Sequence, residues 1–422
     1  MNIEIKSTLD ELFILQRHGV KVGLTHTKKL LNAIGNPDKK LKFIHVAGTN
    51  GKGSISISLY NILKQVGLKV GIYTSPHLIN FNERIRVDGI PISNISIVKF
   101  MNKYIEDIKN IESTFFETTT VMALDYFYHK KVDIAIIETG LGGRLDSTNV
   151  INPELTIIGS ISMDHMEILG DSITDIAYEK AGIIKKKCPL VYKNQSKEVD
   201  RVIIGKANEL NSDIVFVDNE SISNKSISNK RTRFKYKFKE YSTPLLGEHQ
   251  IENTAIAIEA ANYLFPRISY NIIVDGISKI KWPGRLEEIK HNKLYYDVAH
   301  NASGINKTIV SLKKMYLNNK INGLLCLKSN KDLNSICREI KGKFEMLIIT
   351  SDKVGLLEDP SSISNVFIKN NIDHIVVNSI GEGIKVLLSP INNNKIGLIF
   401  GSHFIASEIY SFMGINFDNG VI

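Results

Sequence analysis

The sequence predicts an α/β protein of two domains, a larger parallel-sheet domain over residues 1–283 and a smaller Rossmann-like α/β domain over 284–422. Three observations predict it. Short runs rich in Ile and Val alternate with segments of helical periodicity, as strands covered on both faces by helices do. A glycine-rich stretch, "HVAGTNGKGS" at 45–54, sits at the first strand-to-helix transition. A chain of 422 residues exceeds one ordinary core, and the Pro-Gly of "IKWPGRLEEI" at 280–289 marks the junction before a second run of alternation.

Taken in order, "FIHVAG" is a short strand, and "SISISLYNILKQVG" then spaces its apolar residues for a helix that stops at Gly67. "KVGIYTS", "VDIAIIETG" and "ELTIIGSIS" read as further buried strands, with "ETTTVMALDYFYHK" as a helix between them. Residues 211–242 differ in character. "SISNK" occurs twice in succession and reads as an exposed loop. "RTRFKYKFKEY" at 231–241 alternates basic and aromatic residues with period two, as a β-hairpin with one solvated face does. The same interleaving would also suit a nucleic-acid surface. Beyond the junction, "KLYYDVAHN", "INGLLCLKS", "FEMLIITS", "DHIVVNS" and "KIGLIFGS" are five further strands with helices between them.

Bulk properties narrow the class. Hydrophobic residues make up 43% and charged residues 23%, a soluble globular balance, and no run is apolar for long enough to span a membrane. The start, "MNIEIKSTLDELF", lacks the basic-then-apolar layout of a signal peptide, so a cytoplasmic location is expected. Cys188, Cys326 and Cys337 are scattered and share no metal-ligand spacing, which excludes a disulfide framework and a zinc site. The net charge of +9 would suit a polyanionic partner. A lysine-rich surface explains it more simply, because Lys, Asn and Ile are abundant together.

The chemistry begins at the glycine-rich loop. It departs from G-x-x-x-x-G-K-[ST] at two points: Val46 stands at the first glycine position, and Gly53 separates Lys52 from Ser54. The strand–loop–helix context is nonetheless that of a phosphate cradle, with backbone N–H groups and a helix N-terminus facing the charge. Residues 1–283 are therefore read as a P-loop ATPase domain, with Lys52 reaching the terminal phosphates and Ser54 supporting a magnesium ion. Glu138 ends an apolar strand at the edge where open α/β sheets bind ligands, and reads as a magnesium ligand. Ser75 in "YTSPHL" and His165 in "SMDHMEILG" follow two other strands to the same edge.

At this point the chain resembles the folylpolyglutamate synthase / dihydrofolate synthase family, a branch of the Mur-type ATP-dependent amide ligases. The resemblance runs through "LQRHGVKVGLTHTKKLLNAIGNP", "HVAGTNGKGS", "YTSPHLINFNERIRVDGIPIS", "ETGLGGRLDSTN", "DHMEILG" and "EKAGII". It continues in "LLGEHQIENTAIAIEA", "WPGRLE" and "DVAHN". The irregular loop is the family's own form. The resemblance implies that Gly48, Thr49, Asn50, Gly51, Lys52, Gly53 and Ser54 bind ATP phosphates. It also implies that Ser75, Glu138 and His165 hold two magnesium ions, and that Lys180 in "EKAG" matches a lysine carried as a carbamate. Lys52, Glu138, His165 and Lys180 are the expected catalytic group. Asn253, Arg285 and Asp297 would contact the nucleotide, with His300 and Asn301 near the Asp297 loop. Phe116, Glu117 and Thr120, with Leu145, Asp146, Ser147 and His300, are the expected substrate-binding residues. Three positions depart from the family pattern: Lys187 for a glycine, Asn330 for an aspartate and Ala302 for a proline.

The implied reaction activates a carboxylate by transfer of the γ-phosphoryl group of ATP, after which the amine of L-glutamate displaces phosphate. The acceptor is dihydropteroate, a reduced folate, or both. The 284–422 segment would be the glutamate ligase domain. Expected partners are small molecules alone, with no nucleic acid and no membrane, and the chain is expected to be a monomer. A folylpolyglutamate synthase with the single activity is the nearest alternative. A cell-wall Mur ligase is a more distant one, and a basic nucleic-acid-binding NTPase is the alternative from another class.

Overall fold

The computed structural model describes residues 3–15, 19, 23–290, 293–329, 331–352, 355–392, 395–417 and 420–422. Asn330 therefore lies outside the described residues. The chain divides into two compact units. The first comprises residues 1–220, 253–279 and 419–422, and the second comprises 221–252 and 280–418. Near the expected boundary at 283/284 the division falls at 279/280, and residues 221–252 group with the second unit.

The first unit is built on eight strands: β1 (Phe43–Ala47), β2 (Val70–Tyr73), β3 (Ile85–Val87), β4 (Ile90–Pro91), β5 (Ile134–Glu138), β6 (Leu155–Ile158), β7 (Leu190–Tyr192) and β8 (Ile214–Phe216). Their order is β4-β3-β2-β5-β1-β6-β7-β8. The six from β2 to β8 run parallel, while β3 and β4 turn back antiparallel at one edge. Every residue of β1, β2, β5 and β6 is buried, which is why these strands read as unbroken apolar runs instead of alternating ones. Helices Thr25–Ala33, Asn94–Ile111 and Phe115–Lys130 contribute Leu30, Phe100 and Phe127 to one core cluster. Helices Ile173–Ala181 and Lys197–Glu209 contribute Ile176 and Ile203 to another. Parallel strands place their C-terminal ends on one edge, so the loops after Ala47, Tyr73, Glu138 and Ile158 emerge together.

The second unit holds two sheets. β9 (Ile222–Ile227), β10 (Thr232–Tyr236) and β11 (Lys239–Thr243) form an antiparallel sheet in the order β11-β10-β9. The expected hairpin is β10–β11, but the "SISNK" repeat is not simply a loop: four residues of its first copy and two of its second form β9. Ser, Asn and Lys dominate β9, and its outward residues are exposed, so composition alone mimics a loop. Phe234, Tyr236 and Tyr241 are buried while Arg233 and Lys239 are exposed. The aromatics that could have stacked on bases thus belong to the core of this sheet, and Phe238 alone of the 231–241 aromatics is fully exposed.

The other sheet takes β12 (Glu287–Lys290), β13 (Leu294–Asp297), β14 (Ile321–Leu325), β15 (Met346–Ile349), β16 (Ile375–Val376) and β17 (Ile396–Phe400) in the order β12-β13-β17-β14-β15-β16. Five are parallel and β12 is antiparallel. The charged "RLEEIK" gave no sign of β12, since an edge strand needs little apolar surface. No described helix is long and apolar enough to cross a membrane. The three cysteines are all buried and free.

Candidate active site

The loop between β1 and the helix Lys52–Gln65 is fastened from the side by the segment after β6. Thr49 N donates to Ser160 O at 2.7 Å, Thr49 Oγ1 donates to Ser162 O at 3.0 Å, and Asn50 Nδ2 donates to Ser162 Oγ at 3.1 Å. Gly51 caps the helix with φ 87° and ψ −10°, a left-handed conformation in which any side chain is strained. A Cβ there would stand 2.4 Å from Asn253 Oδ1. Asn253 is buried and packs directly against the loop at Gly51. The amides at the start of this helix have no partner in the preceding turn and face the loop, which is how a helix N-terminus favours phosphate.

Two lysines converge on one carbonyl. Lys52 Nζ donates to Gly48 O at 3.1 Å and to Thr49 O at 3.4 Å, and Lys180 Nζ donates to the same Gly48 O at 3.1 Å. Lys180 is 3% exposed. Burial, reinforced by the charge of Lys52, lowers its pKa from the ordinary lysine value to about 7. A free amine is thus present near neutrality beside the phosphate loop.

Glu138 ends β5 with its side chain buried, and its Oε2 accepts from Ser75 N at 3.3 Å. These two sequence-predicted residues therefore meet. His165 stands in the loop after β6 in a left-handed conformation, half-exposed, with Asp164 Oδ1 4.0 Å from its Nε2 and Glu167 Oε1 3.6 Å from its Nδ1.

A cavity of about 410 Å³ opens beside Ser75. Phe116, Glu117, Leu145, Asp146 and Ser147 line it, with Arg84, Thr114, Gly140, Leu141, Arg144, Ile168, Leu169 and Glu179. Thr120 is buried behind this wall, its Oγ1 2.9 Å from Ser147 Oγ. Glu117 closes a capping box at the start of helix Phe115–Lys130: Thr114 N donates to its Oε2 at 2.7 Å, and Glu117 N donates to Thr114 Oγ1 at 3.3 Å. Asp146 accepts from Leu141 N at 2.8 Å and Thr148 N at 3.0 Å, while full burial raises its pKa against those bonds. Arg144 Nη2 donates to Glu179 Oε1 at 2.8 Å. Sequence reasoning missed Arg84, Thr114, Arg144 and Glu179. "TFFE" carried a capping-box signature that would have found Thr114, whereas Arg84 in "NERIRV" reads as one more charge in a polar loop.

In the second unit Asp297, at the end of β13, accepts from Leu286 N and Ala299 N, each at 2.7 Å. Burial raises its pKa, while Arg285 works in the opposite direction. Both carboxylate oxygens brace the 284–286 and 298–300 turns, so Asp297 shapes this loop whatever else it contacts. His300 Nδ1 lies 3.0 Å from Val298 O, and Asn301 Oδ1 accepts from Gly304 N at 2.8 Å to cap the helix Ala302–Met315.

Comparison with known proteins agrees with this geometry. The Mur ligase middle domain matches residues 46–261, and the Mur ligase glutamate ligase domain matches 284–403. The chain is 37% identical to the dihydrofolate synthase/folylpolyglutamate synthase of Bacillus subtilis, over 93% of this chain and 95% of that protein. It is 32% identical to the folylpolyglutamate synthase of Lacticaseibacillus casei, over 90% and 92%. Among solved structures, Mycobacterium tuberculosis folylpolyglutamate synthase complexed with ADP and AMPPCP superposes with a TM-score of 0.91 at 27% identity, covering 98% of this chain and 99% of that one. The Thermotoga maritima folylpolyglutamate synthase does so at 0.84 and 31%, covering 99% of each. With phosphate loop, buried carboxylate and lined cavity on one sheet edge, and with likeness along nearly its whole length, the chain belongs to the folylpolyglutamate synthase/dihydrofolate synthase family of Mur-type ligases.

Proposed function

We propose that this ATP-dependent glutamate ligase of folate metabolism adds L-glutamate both to dihydropteroate and to reduced folates. The observation that carries the reading is the cavity beside Ser75, whose walls include Phe116, Glu117, Leu145, Asp146 and Ser147. An aromatic ring, apolar side chains and a few fixed polar groups suit a flat heteroaromatic acid such as a pterin acid.

The acceptor carboxylate attacks the γ-phosphorus of ATP; a carboxylate–phosphorus bond forms and the bond to the ADP oxygen breaks. The amine of L-glutamate then adds to the acyl carbon, and the tetrahedral intermediate expels phosphate to leave the amide. Gly48 to Ser54 hold the phosphates, and Lys52 swings from the carbonyls it now contacts to the terminal phosphate, offsetting charge in the transition state. Asn253 fixes the loop, and Arg285, Asp297 and His300 are assigned to the nucleotide and substrate by their matching motifs.

Ser75 and Glu138 offer oxygen donors on neighbouring strands, which fits a hard divalent cation such as magnesium; His165, a nitrogen donor, is a softer ligand for it. Bound there, magnesium supplies charge neutralisation on the transferring phosphoryl group. Lys180 also fits its assigned carbamate. The modification needs an uncharged amine, which its lowered pKa provides, and it would replace the repulsion between Lys180 and Lys52 by attraction.

The test is ADP release with ATP, magnesium and L-glutamate, comparing dihydropteroate with tetrahydrofolate. Turnover with both supports the bifunctional reading. Turnover with one reduces it to a single activity, and turnover with neither by a folded, ATP-binding protein refutes the acceptor assignment.

A further inference from the structure

The cavity wall contains a cation to which none of the roles above applies. Arg84 ends the turn Phe81–Arg84 and is 8% exposed. Its backbone carbonyl accepts from Thr74 N at 2.9 Å, which fixes it beside the C-terminal end of β2. Its Nε donates to His77 Nδ1 at 2.8 Å, and its guanidinium carbon lies 5.2 Å from the centroid of the Phe115 ring. Phe81 and Phe13 pack edge-on and stacked against Phe115, with centroids at 6.0 and 5.6 Å, so an aromatic floor surrounds the group.

Among the described residues, nothing hydrogen-bonds to either terminal nitrogen of Arg84, and no carboxylate pairs with it. The carboxylates on the cavity wall are already engaged. Glu117 holds Thr114 N, Asp146 holds Leu141 N and Thr148 N, and Glu179 holds Arg144. A guanidinium removed from water needs its donors satisfied, and one bond to His77 leaves two nitrogens unserved at the cavity surface. Glu138 and Glu83 act on the charge of Arg84 through space without pairing with it, so the acceptor that would satisfy both nitrogens has to arrive with the ligand. A planar fork with two parallel donors matches the two oxygens of a carboxylate, and the acid substrate proposed for this cavity carries one.

We propose that Nη1 and Nη2 of Arg84 hold the carboxylate of the acid substrate beside Ser75, and that His77, by accepting from Nε, is the positioning residue that aims the fork into the cavity. The assignment rests on the reading that this cavity takes the acceptor acid. It explains how a mostly apolar pocket could select an acid over its neutral analogues and present the carboxylate in one orientation.

The experiment is isothermal titration of the full-length protein with dihydropteroate and with its methyl ester, for wild type, Arg84→Met, His77→Ala and His77→Asn. Wild type is expected to prefer the acid by about 100-fold, the size of one desolvated charged hydrogen-bond pair. Arg84→Met is expected to lose that preference by binding the acid more weakly while binding the ester unchanged. Its ligand-free melting temperature should stay at or above wild type, because a buried charge has been replaced by an apolar side chain of similar length. His77→Ala is expected to raise KM for the acid by about tenfold, with KM for ATP unaltered, and His77→Asn, whose Oδ1 can take the place of Nδ1, to restore it. Equal binding of acid and ester by wild type overturns the proposal, as does retention of the preference in Arg84→Met or collapse of that variant's fold. Alanine and asparagine acting alike at position 77 overturns the positioning role. If wild type binds neither compound, the acceptor reading itself fails, and the Arg84 assignment with it.

Discussion

Replacing Gly51 by alanine tests whether the irregular phosphate loop works as its geometry implies. Two separate costs follow from the structure. The φ of 87° is left-handed, and an L-residue held there loses about 1–2 kcal/mol. The new Cβ would also stand 2.4 Å from Asn253 Oδ1 and 3.0 Å from its Cγ. Asn253 is 5% exposed, so it has little room to yield. Moving it off its rotamer costs about 0.5–1.5 kcal/mol. The sum, about 1.5–3.5 kcal/mol, corresponds to an ATP affinity reduced roughly 10- to 300-fold. The assay is a double-mutant cycle on ATP dissociation constants for wild type, Gly51→Ala, Asn253→Ala and the pair, with circular dichroism confirming that each is folded. Once Asn253 is truncated the steric component disappears, so the double mutant should be tighter than additivity predicts by about 0.5–1.5 kcal/mol. Additivity within about 0.5 kcal/mol would show that Gly51 and Asn253 do not confront each other. Wild-type affinity in Gly51→Ala would show that the loop relaxes on binding.

Other outcomes follow from single features. His45 is fully buried on β1 and His249 in the second unit, and burial lowers the pKa of each to about 3. Both fold neutral, so their contribution to stability is complete above the unfolded value of 6.5 and is lost as pH falls from 6.5 towards 3. Each should cost roughly 2 kcal/mol between about pH 6.5 and about pH 4.5, and urea titrations across that window should show a shallower acid loss in His45→Gln. A Cβ at Gly140 would meet Phe116 Cζ at 2.4 Å on the cavity wall. Gly140→Ala should therefore raise KM for the acid acceptor by about tenfold, with ATP affinity unchanged in the same titrations. Lys180→Met should abolish turnover, and intact-protein mass spectrometry of wild type in bicarbonate buffer should find the mass of one carbon dioxide, absent from the variant. Persistence of full activity in rigorously carbon-dioxide-free buffer would argue against the carbamate.

Much of this protein is set locally. The strands around the phosphate loop are buried on both faces, so their Ile–Val runs are legible without any tertiary information, and glycine placement alone locates the loop at their end. Lys52, Glu138 and Ser75 could be read because chemistry-bearing residues at the C-terminal ends of parallel strands share one edge by geometry. β9 and β12 could not be read. Each is an edge strand carrying Ser, Asn, Lys or Glu, and backbone pairing with a neighbour, not side-chain burial, makes it a strand. Glu117 and Asp146 lie in segments that the family resemblance marks for the substrate, but only the folded chain shows that backbone amides already engage their carboxylates. The lowered pKa of Lys180 depends on burial and on Lys52 arriving at the same carbonyl from 128 positions away in sequence. Arg84 is the clearest case: in sequence it is one of many cations on a basic chain, and its proposed role comes from an aromatic surround and from the engagement of Glu117, Asp146 and Glu179 elsewhere on the cavity wall. Periodicity and glycine placement determined the scaffold and the loop, because those depend on neighbours in sequence. Desolvation and pairing decided the site, because they depend on neighbours in space.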